Sequence, residues 1–388
     1  RRNRQDATSS DAPVDVGWRF LLRDRCRRFG RHRDHRDLQL ERAVLALLEH
    51  ELLAWVPVEW ALTYGIGPGT LGEHVTVKQT RPGLIQKMAT ENIQMRLALR
   101  RYGVEKLFSL GDTSLPGCPV PHMLLVQQAY LATEPSALDF PMSAGFNLKM
   151  RAMTTYLRAA LPTVNLVTVQ SETMKEGLMR RFGLPSERVI VVPSAIAEIA
   201  PPTETPSWGG DRPTICYVAS GAPHKNHVLL ADVMVGLTAR YPDLTCRLTA
   251  SPKSVSALYR RAKSLKVLDR FDFSGSVSHG QVLKLMQEAT VMVMPSKLES
   301  FGLPYYEAMA LGRPMVASDR PFAREACQEG ARYADPDTPA AWVSAIAALL
   351  DAPSERKKLG EAALTRFSQV KLSWREVAAR YLELMQNL

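Results

Sequence analysis

From about residue 40 onward, short apolar runs alternate with segments whose apolar positions recur at helical spacing. Such alternation predicts βα units on parallel sheet. In the first half the predicted helices cover 41–50, 84–102, 146–160 and the segment after residue 171. The predicted strands cover 58–65, 104–110, 123–128, 166–171 and 188–194. A stretch rich in Pro and Gly with little apolar content (197–213) follows and reads as a linker. A second alternation then begins. Strands are predicted at 214–220, 244–250, 270–277, 290–296 and 314–319. Helices are predicted at 226–241, 252–266, 279–289, 304–312, 338–351, 353–368 and 374–387. The pattern predicts an α/β protein of two doubly wound domains facing each other across a cleft. In such sheets ligands bind outside the carboxyl ends of the strands.

Composition narrows the class. The chain has 388 residues, 46% of them hydrophobic and 23% charged, which is ordinary for a globular protein. The five Cys are scattered with no CxxC pair, which argues against a disulfide framework or a zinc site and fits a reducing, cytoplasmic setting. No apolar run reaches the roughly 18 residues of a membrane helix. The net charge of +10 is uneven. Residues 1–42 hold twelve Arg and no Lys against seven acids, a balance of +5. That head lacks interleaved aromatics and nucleic-acid motifs, so nucleic acid is not an expected partner. An anionic membrane face fits its charge better. The head is also too charged for a normal cleft loop and opens without Met, which fits a truncated or mistranslated start.

The strongest motif is KLESFGLPYYEAMALGRPMVAS (297–318). An apolar strand ends at Ser296. A loop with Glu299 and Gly302 follows, and Pro304 stands where a helix begins, in a first-turn position that needs no N–H. The helix start presents amides from about Phe301 to Leu303, which suit a phosphate. Glu307 lies a turn inside that helix, within reach of a ribose diol. A second loop, ASGAPHKNH (219–227), holds Gly221 and opens a helix, the geometry of a phosphate loop. Lys225 at its end supplies a point charge for a pyrophosphate. His224 and His227 flank that Lys, but no third ligand is evident for a metal.

ESFGLPYYEAMALGRPMVAS resembles the E-x7-E signature of the retaining GT-B glycosyltransferases, in particular family 4. The resemblance covers residues 206–388 and, more weakly, 95–198. It implies a fold of two Rossmann-like domains, with an acceptor-side domain over 1–200, a linker over 201–213, and a donor domain over 214–372. A last helix (373–388) packs back on the first domain. It implies a nucleotide-sugar donor and a glycan or lipid-linked acceptor, with retention, no obligatory metal and no cofactor. No DxD-like pair appears. By this resemblance Glu307 holds the ribose hydroxyls and Glu299 faces the donor sugar. The backbone of Ser300, Phe301, Gly302 and Leu303 meets the phosphates or sugar. Lys225 and Asn226 match the end of the family's phosphate loop. The family's Arg in that loop is missing here, which leaves Lys297 or Arg320 as substitutes. SGSVSHGQVLKLMQEA (274–289) resembles the base-binding loop, with the backbone near Val277 on the base.

On the acceptor side, relatives carry a His where Gln127 and Gln128 stand. Asp112, in the preceding loop, is either a cleft contact or a turn-forming Asp. Ser171 is first an N-cap and also a candidate acceptor contact. His122 caps a turn. The Gly-rich GIGPGTLG (65–72) is a loop without nucleotide-fingerprint spacing. The resemblance implies transfer of a hexose from GDP-mannose or a UDP-sugar in cell-surface polysaccharide synthesis. A nucleotide-sugar isomerase of the same fold and an inert nucleotide-sugar binder are the rival readings.

Overall fold

The computed structural model describes residues 92–196, Ile199 and 212–388, together with the backbone of 20–23, 52–57, 75–80 and 90–91. Two parallel sheets organise it. The first contains β1 (Phe20–Arg23), β2 (Leu52–Pro57), β3 (Val75–Thr80), β4 (Lys106–Ser109), β5 (His122–Leu125), β6 (Leu166–Val169) and β7 (Val189–Val191), in the order β3-β2-β1-β4-β5-β6-β7. The second contains β8 (Thr214–Tyr217), β9 (Thr245–Leu248), β10 (Phe271–Phe273), β11 (Val291–Met294), β12 (Met315–Ser318) and β13 (Arg332–Ala334), in the order β10-β9-β8-β11-β12-β13. Every pairing is parallel.

The central strands are buried along their whole length. VMVM of β11 and MVAS of β12 therefore read as unbroken apolar or small-residue runs rather than alternating ones. In each sheet the strand order reverses beside the first strand, between β1 and β4 and again between β8 and β11. The loops that leave the carboxyl ends of β8 and β11 thus flank the switch point where doubly wound sheets take ligands. These are the loops that carry Lys225 and Glu299.

The last helix, Trp374–Gln386, is set by a capping box of Ser373 and Glu376. It lies on the first sheet. The Tyr381 ring is 5.0 Å from the Phe108 ring of β4. The buried Lys106 Nζ donates to the carbonyls of Met385 (2.7 Å) and Gln386 (2.9 Å), an ammonium at the negative end of a helix.

Some sequence expectations fall elsewhere. The helix 41–50, the strand 58–65 and the loop 65–72 lie outside the described residues, as does 201–213 apart from Arg212 and Pro213. The strands β2 and β3 did not stand out in the sequence, because β3 (VTVKQT) alternates apolar with polar positions and β2 directly follows a long apolar run. Of the expected helix 84–102, Met95–Arg101 is α-helical after a π turn over Thr90–Gln94, and 84–89 lie outside the described residues. Among the described residues no helix is long and apolar enough to cross a membrane.

Candidate functional site

Two loops meet at the switch point of the second sheet. The Lys225 Nζ and a Glu299 carboxylate oxygen are 2.6 Å apart, with side chains 16% and 12% exposed. Burial alone would raise the Glu299 pKa. The Lys225 ammonium, with help from His224 and Ser296, outweighs burial and holds it below the ordinary carboxylate range. Tyr217, the last residue of β8, fixes the spacing of the two loops. Its buried hydroxyl lies 2.8 Å from Ser296 Oγ and donates to the Lys225 carbonyl (2.9 Å). Ser318 Oγ donates to the Ser296 carbonyl at 2.6 Å. The ion pair is therefore seated on a hydrogen-bonded base rather than on mobile side chains.

The helix Leu303–Ala310 begins at Gly302, whose φ of 74° is left-handed. A Cβ there would also lie 2.5 Å from the Tyr305 ring, so only glycine fits. Pro304 has no N–H, and the Tyr305 amide donates to the Gly302 carbonyl (2.9 Å). Gly302 and Leu303 thus carry the amides that an anion at this helix start would meet. One turn on, Glu307 is 1% exposed. Its carboxylate lies 2.9 Å from His279 Nε2. His279 opens the helix His279–Glu288, inside the capping box formed by Ser278 and Gln281. The sequence reading missed His279 as a partner of Glu307. Its one signal was a position at the helix start beside the expected base loop.

In the loop after β8, a Cβ on Gly221 would lie 2.3 Å from the Ser254 carbonyl, so the backbone packs directly on that neighbour. Asn226 takes a left-handed φ of 55° and its amide donates to the Pro336 carbonyl (2.8 Å). His224 Nδ1 lies 2.8 Å from the Tyr130 hydroxyl, a contact that crosses from one domain to the other. Burial, and then Lys225, lower the His224 pKa to about 4 and that of His227 to about 3. Among the described residues no group of three or more His, Cys, Asp or Glu could hold a metal ion.

Lys297 and Arg320, the expected substitutes for the missing Arg, are already paired. Lys297 meets Asp337 and Asp139, and Arg320 meets Asp139 (2.7 Å) and Asp337 (3.1 Å). Asp139 belongs to the first domain, so this cluster bridges the cleft. Glu325 bridges it as well. Its carboxylate accepts from the amides of Glu172 (2.6 Å) and Thr173 (2.9 Å), at the positive end of the helix Glu172–Phe182.

On the first-domain side, the Asp112 Oδ1 accepts from the amides of Gln127 and Gln128, both at 2.7 Å, and Asp112 itself has φ 63°. Its carboxylate braces the end of β5. Ser171 caps the helix Glu172–Phe182 through Met174 N (3.3 Å), and its hydroxyl donates to the Ser300 carbonyl (2.7 Å). His122 does not cap a turn. It is the first residue of β5, and burial pushes its pKa down to about 4.

Two doubly wound parallel domains, joined across a cleft by the loops at their strand ends, define a GT-B protein. Residues 204–366 match the family model of the glycosyl transferases group 1, so the second domain is similar to that family. It is 28% identical over 195 residues to the O-antigen chain mannosyltransferase RfbU of Salmonella typhimurium, covering 49% of this chain and 52% of that one. It is 27% identical over 247 residues to the D-inositol 3-phosphate glycosyltransferase of Corynebacterium glutamicum, covering 58% and 57%. The chain spans about half the length of these curated relatives. The fold matches Anabaena HepE, solved with UDP and glucose, at a TM-score of 0.69 and 14% identity over 95% of this chain and 99% of that one. It matches WaaG, a glycosyltransferase involved in lipopolysaccharide biosynthesis, at a TM-score of 0.70 and 11% identity over 95% and 100%.

Proposed function

We propose that the chain transfers a hexose from a nucleoside-diphosphate sugar, GDP-mannose or a UDP-sugar, to a glycan or lipid-linked acceptor. Transfer proceeds with retention and without an obligatory metal, at the cytoplasmic face of an anionic membrane. The observation that carries this reading is the Lys225–Glu299 pair at 2.6 Å beside a glycine-started helix that also holds the buried Glu307. A mannosyltransferase among the relatives and a UDP-bound neighbour support a donor of this class.

The bond between the anomeric carbon and the phosphate oxygen breaks, and its electron pair stays on the leaving diphosphate. Lys225 and the amides of Gly302 and Leu303 stabilise that charge as it grows. Glu299 accepts hydrogen bonds from donor-sugar hydroxyls and orients the ring. Glu307, held by His279, accepts from the ribose diol. The acceptor hydroxyl attacks from the face the diphosphate leaves, and its proton passes to a departing phosphate oxygen.

The test is a screen of GDP-, UDP- and ADP-sugars for donor binding and for slow release of free sugar. A transferase releases sugar from its donor, and an inert binder does not. Glu307→Ala removes hydrogen bonds to a charged acceptor and is expected to weaken donor binding by about 10- to 100-fold. Donor binding equal to that of the unmodified chain would overturn the site.

A further inference from the structure

The loop between β11 and the helix Leu303–Ala310 belongs to the second domain, yet the first domain also holds it at Lys297, Leu298 and Ser300. Lys297 Nζ donates to the Asp139 carbonyl (3.2 Å) and pairs with its carboxylate (3.5 Å). Leu298, 8% exposed, is a member of the first domain's apolar cluster, with Leu124, Val126, Tyr130 and Val169. The Ser300 carbonyl accepts from Ser171 Oγ at 2.7 Å. Within its own domain the loop is held by the Lys297 amide on the His224 carbonyl (2.7 Å), by the Lys297–Asp337 pair and by Glu299 on Lys225.

We propose that Leu298 is a positioning residue whose insertion into the first domain places the Glu299 carboxylate, so that cleft closure and assembly of the donor-sugar site are one event. The inference rests on the reading of Glu299 as the sugar-facing carboxylate. When the domains separate, Leu298 leaves an apolar cluster for water, and the loop loses the contacts on both sides of Glu299. Trimming Leu298 shifts the balance toward the open form, in which Glu299 keeps its Lys225 partner but the loop backbone on either side of it loses its first-domain anchors. The nucleotide half of the site is built differently. Glu307 and His279 both lie in the second domain and touch each other directly. Leu298 therefore governs turnover while leaving nucleotide affinity alone.

The experiment measures the Kd of UDP and of GDP by calorimetry, and kcat for hydrolysis of the donor found in the screen, on the full chain and its variants. Leu298→Ala is expected to lower kcat by about tenfold or more while the nucleotide Kd stays within about twofold. Leu298→Met, which refills the same volume, is expected to restore kcat to within about threefold. If Leu298→Ala fails to unfold cooperatively, Leu298→Val is scored in the same way with a loss of about threefold expected. Turnover within about twofold of the unmodified chain overturns the proposal, and so does nucleotide affinity that falls in step with kcat. Failure of the underlying site reading looks different: the unmodified chain then binds neither nucleotide, or Glu307→Ala binds them undiminished.

Discussion

In the second domain, the loop after β11 sets the Glu299 carboxylate 2.6 Å from the Lys225 ammonium of a neighbouring strand-end loop. In the first, the loop after β4 sets the Asp112 carboxylate 2.7 Å from the amides of Gln127 and Gln128. Both acids follow strands of a doubly wound sheet and both lie near the cleft. The first is in direct contact with a cation on a neighbouring loop. The second accepts from two backbone amides of its own domain. Position at a strand end selects candidates for chemistry, and the partner decides between them. On the proposed reading the second domain's strand-end loops meet the donor, while the Asp112 loop holds the shape of the first domain.

The largest expected contrast is at Lys225. Lys225→Gln keeps a hydrogen-bond donor on a side chain one atom shorter but removes the charge that, on the proposed reading, faces the leaving diphosphate. Loss of one such electrostatic contact is expected to lower kcat by about 10²–10³. The same substitution removes the main influence that holds the Glu299 pKa down, so burial should then raise it. Donor hydrolysis measured at saturating donor checks the rate. A loss smaller than about fivefold would put Lys225 on the side of Asp112, as a structural group.

The sequence made most of the second domain legible, because its chemistry is carried by local punctuation, but the helix Pro321–Cys327 and the strand Arg332–Ala334 were missed. Gly302, Pro304 and the apolar runs of β11 and β12 announce strand, loop and helix in a single stretch. The pairings were hidden for the opposite reason. Lys225 and Glu299 are 74 positions apart, and His279 meets Glu307 across 28, so spacing says nothing of contact. Lys297 and Arg320 looked available for phosphate because the sequence cannot show Asp139 arriving from the other domain. Asp112 looked equally like a site or a turn. The same residue type serves both, and only its left-handed backbone and its two amides separate them. In the first domain β3 was missed because its alternating VTVKQT has no continuous apolar run.

Buried histidines give a second way to set the domains apart. The pKa values of His122 and His224 are lowered to about 4 and that of His227 to about 3, in each case chiefly by burial. Unfolded, each titrates near 6.5. Below that pH the unfolded chain binds protons that the folded chain refuses, so this stability is complete above about pH 6.5 and is lost as pH falls toward 4. At pH 5 the loss is about 2 kcal/mol for each histidine. One of the three lies in the first domain and two in the second. Calorimetry at pH 7 and pH 5 is therefore expected to show the second domain losing about 2 kcal/mol more than the first. Equal losses would mean that the three rings do not stay neutral when folded.

The smallest effect is the one that most directly tests Asp112. Asp112→Asn keeps an oxygen in place for the Gln127 and Gln128 amides but removes its charge. Hydrogen bonds to a charged acceptor contribute about 1.5–3 kcal/mol and neutral ones about 0.5–1.5 kcal/mol, so the exchange should cost about 1 kcal/mol. Asparagine also accepts the left-handed backbone that this position requires. For a unit of this size that cost is a fall of about 2–4 °C in Tm. Donor hydrolysis should be unchanged, since the carboxylate contacts backbone in its own domain. A kcat that drops while Tm holds would reverse the assignment. Asp112 would then face the substrate like Glu299, and the acceptor side would be as responsive to ligand as the donor side.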